Sequence, residues 1–380
     1  MPPFLTNPYR FGNSIRAIQT VLYTQAIGDD DSTISFGNLT NADKCIPFIS
    51  GKANAFAYGT DSDIEEIFWS IDIYNSGGVK ADVARNPAAT GNISQDLALT
   101  LLEFPSTVTV AKYTFNSQVI AAGDYIDCTI TAVDTSKSFI VCTAQREYSA
   151  GLAIHGQTGG VCATFTSSTN VRVYCVNDTE TVPKIILYVV TDTSGSAFTV
   201  TSTTGSLAGS VRSTNITVPS HDQSKTLAIV NWHASSGSGS YPNIMFVDKH
   251  TWTCYPSSNT NFVMACHNTN TGPFTAQYNV QLITFTSGVT IQRGRMQPAT
   301  NVDTVNATIT SVDLTKSAVV TYLSGHLDNG AVQHNNSGCD MGEAAWKLRL
   351  SSATNVEATR HGSGSIDDSC DFGWQVITTS

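Results

Sequence analysis

The sequence predicts an all-β protein of four tandem β-sandwich-like modules, each of about 90 residues, that follow an N-terminal arm. Three observations lead to this fold class. One turn motif recurs at a nearly constant spacing, an apolar segment closes each period, and the residues between them alternate as they do in β-strands. Self-similarity at a fixed spacing is typical of repeat architectures, so it decides the fold before any single element is considered.

A turn motif of the form Val-Asp-x-x-Lys-Ser supplies the period. Its residues are Asp134 and Lys137, Asp313 and Lys316, and, in a weaker copy, Asp222 and Lys225. In the first period the motif is faint, because Asp43 directly precedes Lys44. An Asp carboxylate accepts hydrogen bonds from backbone N–H groups two residues further on, so we expect a turn that sets the register of a β-hairpin. A local Asp–Lys ion pair is a further expectation, and a ligand-binding role for these side chains is the less favoured alternative.

Two further landmarks keep the same order along the chain. Apolar strands close the periods at residues 99–104, 185–190, 280–285 and 374–377. Ser-rich segments that predict hairpin tips lie at residues 167–171, 257–261 and 351–356. The landmarks place modules 1 to 4 at residues 15–104, 105–191, 192–286 and 287–380, and residues 1–14 are left as a Pro-containing arm.

Each module reads as short strands separated by turns. Residues 125–130, Tyr-Ile-Asp-Cys-Thr-Ile, alternate apolar and polar side chains with the period of a strand that has one buried face. Clusters of Ser, Asn, Asp and Gly separate such runs, and about six to eight strands per module fit a small sandwich. Modules of this kind in tandem predict a rod or a plate with many edges and loops.

The composition excludes several classes of protein. The chain carries 30 acidic and 20 basic residues, a formal net charge of −10, and only 13% charged residues against an average of about 25%. Disordered chains combine low hydrophobicity with high charge, and nucleic-acid binders need a basic surface, so neither class is expected. The start of the chain does not read as a signal peptide, and the apolar runs are too short to span a bilayer, so we expect no membrane insertion.

The nine cysteines suggest cross-strand pairs. If the turns and tips above are centres of hairpins, the facing pairs are Cys128 with Cys142, Cys162 with Cys175, and Cys254 with Cys266. Opposed residues in such hairpins have Cβ atoms about 4.5–5.5 Å apart, so a disulfide forms there only with some strain. Reduced thiols are favoured because the chain begins without a signal peptide, and at least one bridge is the alternative. Zinc is not expected, since no Cys-x-x-Cys pair occurs.

The motifs of common catalytic sites are missing from the sequence. It contains no phosphate-binding P-loop, no H-E-x-x-H zinc motif and no G-x-S-x-G nucleophile elbow. We therefore expect a protein that is not an enzyme, with no catalytic residue, no cofactor and no metal. A group of His and Asp residues between His326 and Asp340 leaves a metal or acid–base site open as a minor alternative.

Aromatic side chains near loops are candidates for an interface or for stacking on sugar rings. They are Trp232, Tyr241, Trp252 and Tyr255. Aromatic residues of this kind are frequent anchors of interfaces, and the competing and favoured interpretation is that they are ordinary strand or core residues. The arm carries Phe4, Tyr9 and Phe11 among prolines, so we expect it to dock on a neighbouring subunit or a partner.

The modules resemble the repeated β-domains of tailed-bacteriophage virion proteins, of the tail, fibre-associated or capsid-decorating type. The resemblance rests on Val133-Asp134-x-x-Lys137-Ser138 and Val312-Asp313-x-x-Lys316-Ser317, with Ile291-Gln-Arg-Gly294 opening module 4 and Trp374-Gln-Val-Ile377 closing it. It covers modules 2 and 4 well, module 3 less well, and module 1 poorly. It implies a structural or adhesive role with no catalytic residues to transfer.

The function expected from this resemblance is that of a structural virion protein that assembles with, or decorates, the tail or capsid. Its expected partners are copies of itself and other virion proteins, and its expected location is the virion after synthesis in the host cytoplasm. A receptor- or glycan-binding module of the same particle is the alternative, and an enzyme acting on envelope polysaccharide is a weaker one.

Overall fold

The computed structural model of the chain describes residues 14–26, 29, 31–54, 69–85, 94–119, 125–145, 158–159, 161–174, 181–208, 213–236, 252–266, 274–299, 302–321, 326–327, 346–360 and 370–380. Most of the N-terminal arm therefore lies outside the described residues, with Phe4, Tyr9 and Phe11. Within the described part, short 3-10 turns at Ala42–Lys44 and Thr135–Lys137 accompany an otherwise all-β chain.

The strands follow one another in this order: β1 Ala17–Gln25, β2 Asp31–Phe36, β3 Cys45–Ala53, β4 Ser70–Asn75, β5 Val79–Ala84, β6 Gln95–Glu103, β7 Val108–Val119, β8 Tyr125–Thr129, β9 Ser138–Gln145, β10 Thr158–Gly159, β11 Cys162–Ser167, β12 Asn170–Tyr174, β13 Thr181–Asp192, β14 Phe198–Ala208, β15 Ser213–Thr217, β16 Thr226–Ser236, β17 Trp252–Ser258, β18 Asn261–Cys266, β19 Phe274–Phe285, β20 Val289–Met296, β21 Thr304–Thr308, β22 Ser317–Thr321, β23 His326–Leu327, β24 Lys347–Ser352, β25 Asn355–Thr359 and β26 Cys370–Thr379.

The strands pair into two antiparallel sheets per module, with one topology in all four. The inner sheets share the three-strand orders β1-β6-β3, β7-β13-β9, β14-β19-β16 and β20-β26-β22, to which the two-residue strands β10 of module 2 and β23 of module 4 add by pairing with β16 and β26. The outer sheets have the orders β2-β5-β4, β8-β12-β11, β15-β18-β17 and β21-β25-β24. In each module the last strand therefore lies in the middle of the inner sheet. The all-β class and its tandem repetition are confirmed.

The apolar run that closes each module is explained by burial on both faces of the inner sheet. In β13, Ile185 and Leu187 point into the core of module 2, whereas Ile186, Tyr188 and Val190 point into a second core shared with other modules. A strand buried on both faces reads as a continuous apolar segment and not as an alternating one. The same division occurs in β19 and β26.

The shared core draws residues from the inner sheets of all four modules. Its aromatic centre contains Phe104 of module 1, Phe139 of module 2, and Phe198 and Phe285 of module 3, whose rings meet edge to face at centroid distances of 5.4 to 6.3 Å. Such edge-to-face pairs add to the stabilisation that burial of the rings provides. The modules are thus parts of one packed structure.

The modules close head to tail into a ring. The outer strand β4 of module 1 packs on β9 and β13 of module 2, and β11 of module 2 packs on β16 and β19 of module 3. In the same way β17 of module 3 packs on β26 of module 4, and β24 of module 4 returns to β3 and β6 of module 1. The expectation of a rod or plate is therefore wrong. Both faces of each inner sheet are apolar, so the face that its own outer sheet leaves uncovered must be buried, and the four inner sheets bury these faces against one another.

The turn motif connects the two sheets of a module and does not close a hairpin. In module 2, β8 belongs to the outer sheet and β9 to the inner sheet, and Asp134 and Lys137 lie in the crossing between them. The equivalent crossings join β2 to β3, β15 to β16, and β21 to β22. The Ser-rich segments, by contrast, do form hairpin tips, between β11 and β12, β17 and β18, and β24 and β25.

The predicted cysteine pairs fail for reasons of topology and register. Cys128 pairs across its strand with Val171 and Cys142 with Leu187, in different sheets, although both side chains line the core of module 2. The cysteines of the other two predicted pairs face other residues across their hairpins. Cys162 faces Tyr174, Cys254 faces Met264, and Cys266 faces Trp252. A bulge beside each hairpin tip shifts the register of these pairs. Cys175 lies outside the described residues.

Candidate functional site

In all four modules the first side chain of the turn motif accepts a hydrogen bond from a backbone N–H of the same turn. Asp134 Oδ1 accepts a hydrogen bond from the Ser136 backbone N–H at 3.0 Å, and Asp222 and Asp313 accept from the residues two further on at 2.9 Å. In module 1, Asn41 Oδ1 accepts from Asp43 N–H at 3.0 Å. Asn41, and not Asp43, is therefore the equivalent residue, and the motif of module 1 is regular.

A hydroxyl follows the lysine and joins the turn to the middle strand. Ser138 Oγ donates to the Asp134 carbonyl at 2.8 Å and lies 2.8 Å from Thr191 Oγ1. Thr226 makes the same contacts in module 3. In module 1 this place is taken by Cys45, whose Sγ donates to the Asn41 carbonyl at 3.2 Å. Burial raises the pKa of the Cys45 thiol, so it remains protonated and serves as a substitute for the hydroxyl.

The motif lysine of module 1 contacts the linker to module 2. Lys44 Nζ donates to the Val108 carbonyl at 2.6 Å, where module 2 begins. Asp134 and Lys137 form no ion pair in the part of the chain that the structure describes. The pKa of Asp134 is held low first by the Ser136 hydroxyl and backbone N–H, with the Lys137 charge contributing least. Because the carboxylates are engaged within their own turns, the motif is a structural element of the fold.

Two buried glutamines fasten neighbouring modules together. Gln281 of β19 accepts from the Ile140 N–H and donates to the Ile140 carbonyl, both at 2.8 Å. Gln375 of β26 makes the same two bonds to Ala228, at 2.9 and 2.7 Å. Ile140 and Ala228 occupy the same position on the edge strand of their inner sheets. Each glutamine thus satisfies an edge that would otherwise leave buried backbone groups unpaired.

The junction of modules 1 and 2 departs from this pattern because of a proline. Pro47 of β3 occupies the position of Ile140 and has no N–H to donate. The residue of β13 at the glutamine position is Tyr188, whose hydroxyl instead accepts from Ile73 N–H at 3.0 Å and donates to the Ile71 carbonyl at 2.7 Å. A glutamine is therefore absent at the one of these junctions where the facing residue, Pro47, could not donate an N–H to it.

The ring closes through polar contacts between modules 4 and 1. Ser50 Oγ accepts from the Leu348 N–H at 3.1 Å, and Lys347 Nζ lies 3.3 Å from Asp96 Oδ2. Burial alone would raise the pKa of Asp96, but hydrogen bonds from Asn54 and Thr24 and the Lys347 charge outweigh it and lower the pKa to about 2. These contacts join residues from opposite ends of the chain.

The structure describes the side chains of two of the four aromatic candidates, Trp232 and Tyr255. Trp232 is 5% exposed and belongs to the core of module 3, so it is not available as an anchor. Tyr255 is half-buried beneath the Arg295 guanidinium, 4.2 Å from the ring centroid, at the junction with module 4. Trp252 opens β17, and its side chain lies outside the described residues, as does all of Tyr241.

An aromatic and polar cluster that the sequence analysis missed lies on the outer sheet of module 2. The Arg172 guanidinium stacks 3.7 Å from the centre of the Tyr125 ring, and Tyr125 meets Tyr174 edge to face at 5.7 Å. Arg172 binds both oxygens of Asp127 at 2.9 Å, and Asn170 donates to the same carboxylate at 3.0 Å. Comparing the modules residue by residue from their turn motifs would have shown these side chains.

In the part of the chain that the structure describes, the thiols and charged groups form no cluster typical of a metal site. Cys45, Cys128, Cys142, Cys162 and Cys254 take part in no disulfide among the described residues. Among the described residues, no group of three or more His, Cys, Asp or Glu side chains is arranged to hold a metal ion. The segment from His326 to Asp340 lies mostly outside them. No helix of the described chain is long and apolar enough to cross a lipid bilayer.

Comparisons with known proteins add little to this geometry. No family model and no curated protein matches the chain. Among solved structures, the crystal structure of dimeric latent PorU from Porphyromonas gingivalis is similar over 95% of this chain and 32% of that chain, at 11% sequence identity and a TM-score of 0.15. The chain spans about a third of the length of that structure, and so low a TM-score supports no statement on fold or function.

Proposed function

We propose that the chain is a non-enzymatic structural protein of a phage virion, which assembles with copies of itself and other virion proteins or decorates the tail or capsid. The observation that carries the proposal is the closure of four modules of one topology around a single apolar core. A body of this kind keeps its shape through close packing that is repeated in each module, which suits a component of a particle.

The placement of polar side chains supports the same proposal. The motif carboxylates cap turns, and Gln281, Gln375 and Tyr188 pair with backbone groups of the neighbouring module. Each of these groups fixes one part of the chain against another. The outward strands of the outer sheets, such as β15 and β21, expose Ser, Thr and Asn, which suit hydrated protein contacts.

The test is the composition of purified particles. Particles of the phage that encodes the chain are isolated on a density gradient, washed at high salt, and analysed by quantitative mass spectrometry against the major capsid protein. We expect the chain at a fixed number of copies per particle that matches a symmetry of the particle. Recovery of the chain only in the particle-free fraction of the lysate would contradict the proposal.

A further inference from the structure

The outer face of module 2 differs from the same face of modules 3 and 4. On β8 and β12 the outward side chains include Tyr125, Asp127, Asn170, Arg172 and Tyr174, all half-buried or exposed. The two rings, the guanidinium and the carboxylate form one connected cluster through the stacking and hydrogen-bond contacts given above. We call these five residues the module 2 platform.

The other modules serve as an internal comparison. Asn170, Asn261 and Asn355 occupy the same place in modules 2, 3 and 4, and each faces a threonine on the neighbouring strand. Counting from this shared pair, Tyr125 corresponds to Ser213 and Thr304, Arg172 to Val263 and Glu357, and Tyr174 to Ala265 and Thr359. The fold of a single module thus requires neither ring nor the guanidinium at these positions.

We propose that the module 2 platform binds a neutral glycan through a pyranose ring. Arg172 and Asp127 neutralise each other in a bidentate pair, so the platform offers little net charge to an ionic ligand. Tyrosine rings present apolar surface to the C–H face of a sugar at low conformational-entropy cost. The Asn170 N–H groups are engaged by Asp127 and Thr166, and Asp127 accepts three hydrogen bonds, so the Asn170 carbonyl oxygen and the remaining acceptor site of Asp127 are the partners for sugar hydroxyl groups.

The location and size of the platform fit a sugar better than a protein. Tyr174 stacks on His233 of module 3 at a centroid distance of 6.5 Å, so the platform lies where two modules meet. Small-ligand sites occur preferentially at such junctions. A stable protein–protein interface needs about 20–30 residues a side, whereas the platform has five. The glycan site is independent of the structural role proposed above.

The test is saturation-transfer difference NMR on the full chain with neutral oligosaccharides as probes. The panel consists of cellotetraose, maltotetraose, chitotetraose, mannotetraose and galactotetraose. Tyr125→Ser with Tyr174→Ala gives module 2 the side chains that module 3 carries at these positions. Tyr74→Ser, at a half-exposed tyrosine of the outer sheet of module 1 that binds Asp82, is the matched control.

We expect transfer to at least one oligosaccharide, a loss of affinity of at least about tenfold in the double variant, and unchanged affinity in Tyr74→Ser. Unfolding midpoints of the variants, measured by urea, establish that they remain folded. Absence of transfer to every probe would overturn the proposal. Sugar binding that survives the double substitution would also overturn it. If the double variant binds every sugar as the native chain does but no longer joins the particle, the platform binds a protein partner and the proposal is wrong.

Discussion

At the scale of single residues, the turn motif depends on an oxygen acceptor and not on a charge. Asp134, Asp222 and Asp313 accept from the backbone two residues on, and the neutral Asn41 makes the same bond in module 1. Chain geometry at the crossing between sheets therefore requires a short side chain that carries an acceptor. The sequence shows the three aspartates, but the expectation of a fourth placed Asp43 at the position that Asn41 occupies in module 1.

The first prediction separates the acceptor from the charge at Asp222. We expect Asp222→Ala to lower the free energy of unfolding by about 1 kcal/mol, because the Ser224 N–H and hydroxyl lose their acceptor. Asp222→Asn keeps that acceptor, as Asn41 does, and is expected to change stability by less than half as much. Urea unfolding of both variants measures the difference. Equal losses in the two would show that the charge matters.

The second prediction concerns the tyrosine that replaces a glutamine. Tyr188→Phe keeps the ring in the shared core but removes the hydroxyl that pairs with Ile71 and Ile73 of module 1. We expect a loss of about 1 to 3 kcal/mol in urea unfolding, since one backbone N–H and one carbonyl of β4 lose a buried partner. An unchanged stability would contradict this role of the Tyr188 hydroxyl.

At the scale of elements, the inner sheets explain which sequence inferences succeeded. The four closing strands were found because burial on both faces makes them continuously apolar. The cysteine arithmetic failed because β8 and β9 belong to different sheets, and no local signal in residues 128–142 distinguishes a crossing between sheets from a hairpin turn. The bulge between Phe165 and Ser167 shifts the pairing of β11 with β12 by one residue, so that Cys162 faces Tyr174. A shift of one residue exchanges the faces on which the side chains beyond it are expected.

The third prediction tests the glutamine contacts between modules. Gln281→Ala and Gln375→Ala are each expected to lower the free energy of unfolding by about 2 to 4 kcal/mol, because the backbone N–H and carbonyl of Ile140 or Ala228 are left buried without a partner. Gln277→Ala, at a half-buried position on the same strand as Gln281, is the control and is expected to cost far less. Similar losses at Gln277 and Gln281 would contradict this role.

At the scale of the whole molecule, the ring could not be predicted from the sequence. The repeats predicted the modules, but the arrangement depends on contacts between residues as distant in the chain as Ser50 and Leu348, which no local pattern reveals. The expectation of a rod treated each module as complete in itself. The platform on module 2 was missed for a related reason, since Tyr125 was seen only as part of an alternating strand.

The fourth prediction concerns the dependence of stability on pH through Asp96, at the junction of modules 4 and 1. The folded-state pKa of Asp96, about 2, lies below its ordinary value of 3.8, so as the pH falls the unfolded chain takes up this proton first. The stabilisation by Asp96 is therefore complete above about pH 4 and is lost as the pH falls toward 2. We expect Asp96→Asn to be less stable than the native chain at neutral pH, with the difference shrinking between pH 4 and 2. Urea unfolding at several pH values checks this, and a difference independent of pH would contradict it.

The most direct test of the closed ring is zero-length cross-linking of the native chain with a carbodiimide, read out by mass spectrometry of the monomer. The account predicts an amide link between Lys347 and Asp96, whose charged atoms lie 3.3 Å apart across the junction of modules 4 and 1. Lys112 and Asp72, 2.7 Å apart, join modules 1 and 2 and would be linked in a rod as well, so they are the positive control. Recovery of the Lys112–Asp72 link without the Lys347–Asp96 link would contradict the closure of the four modules around one core.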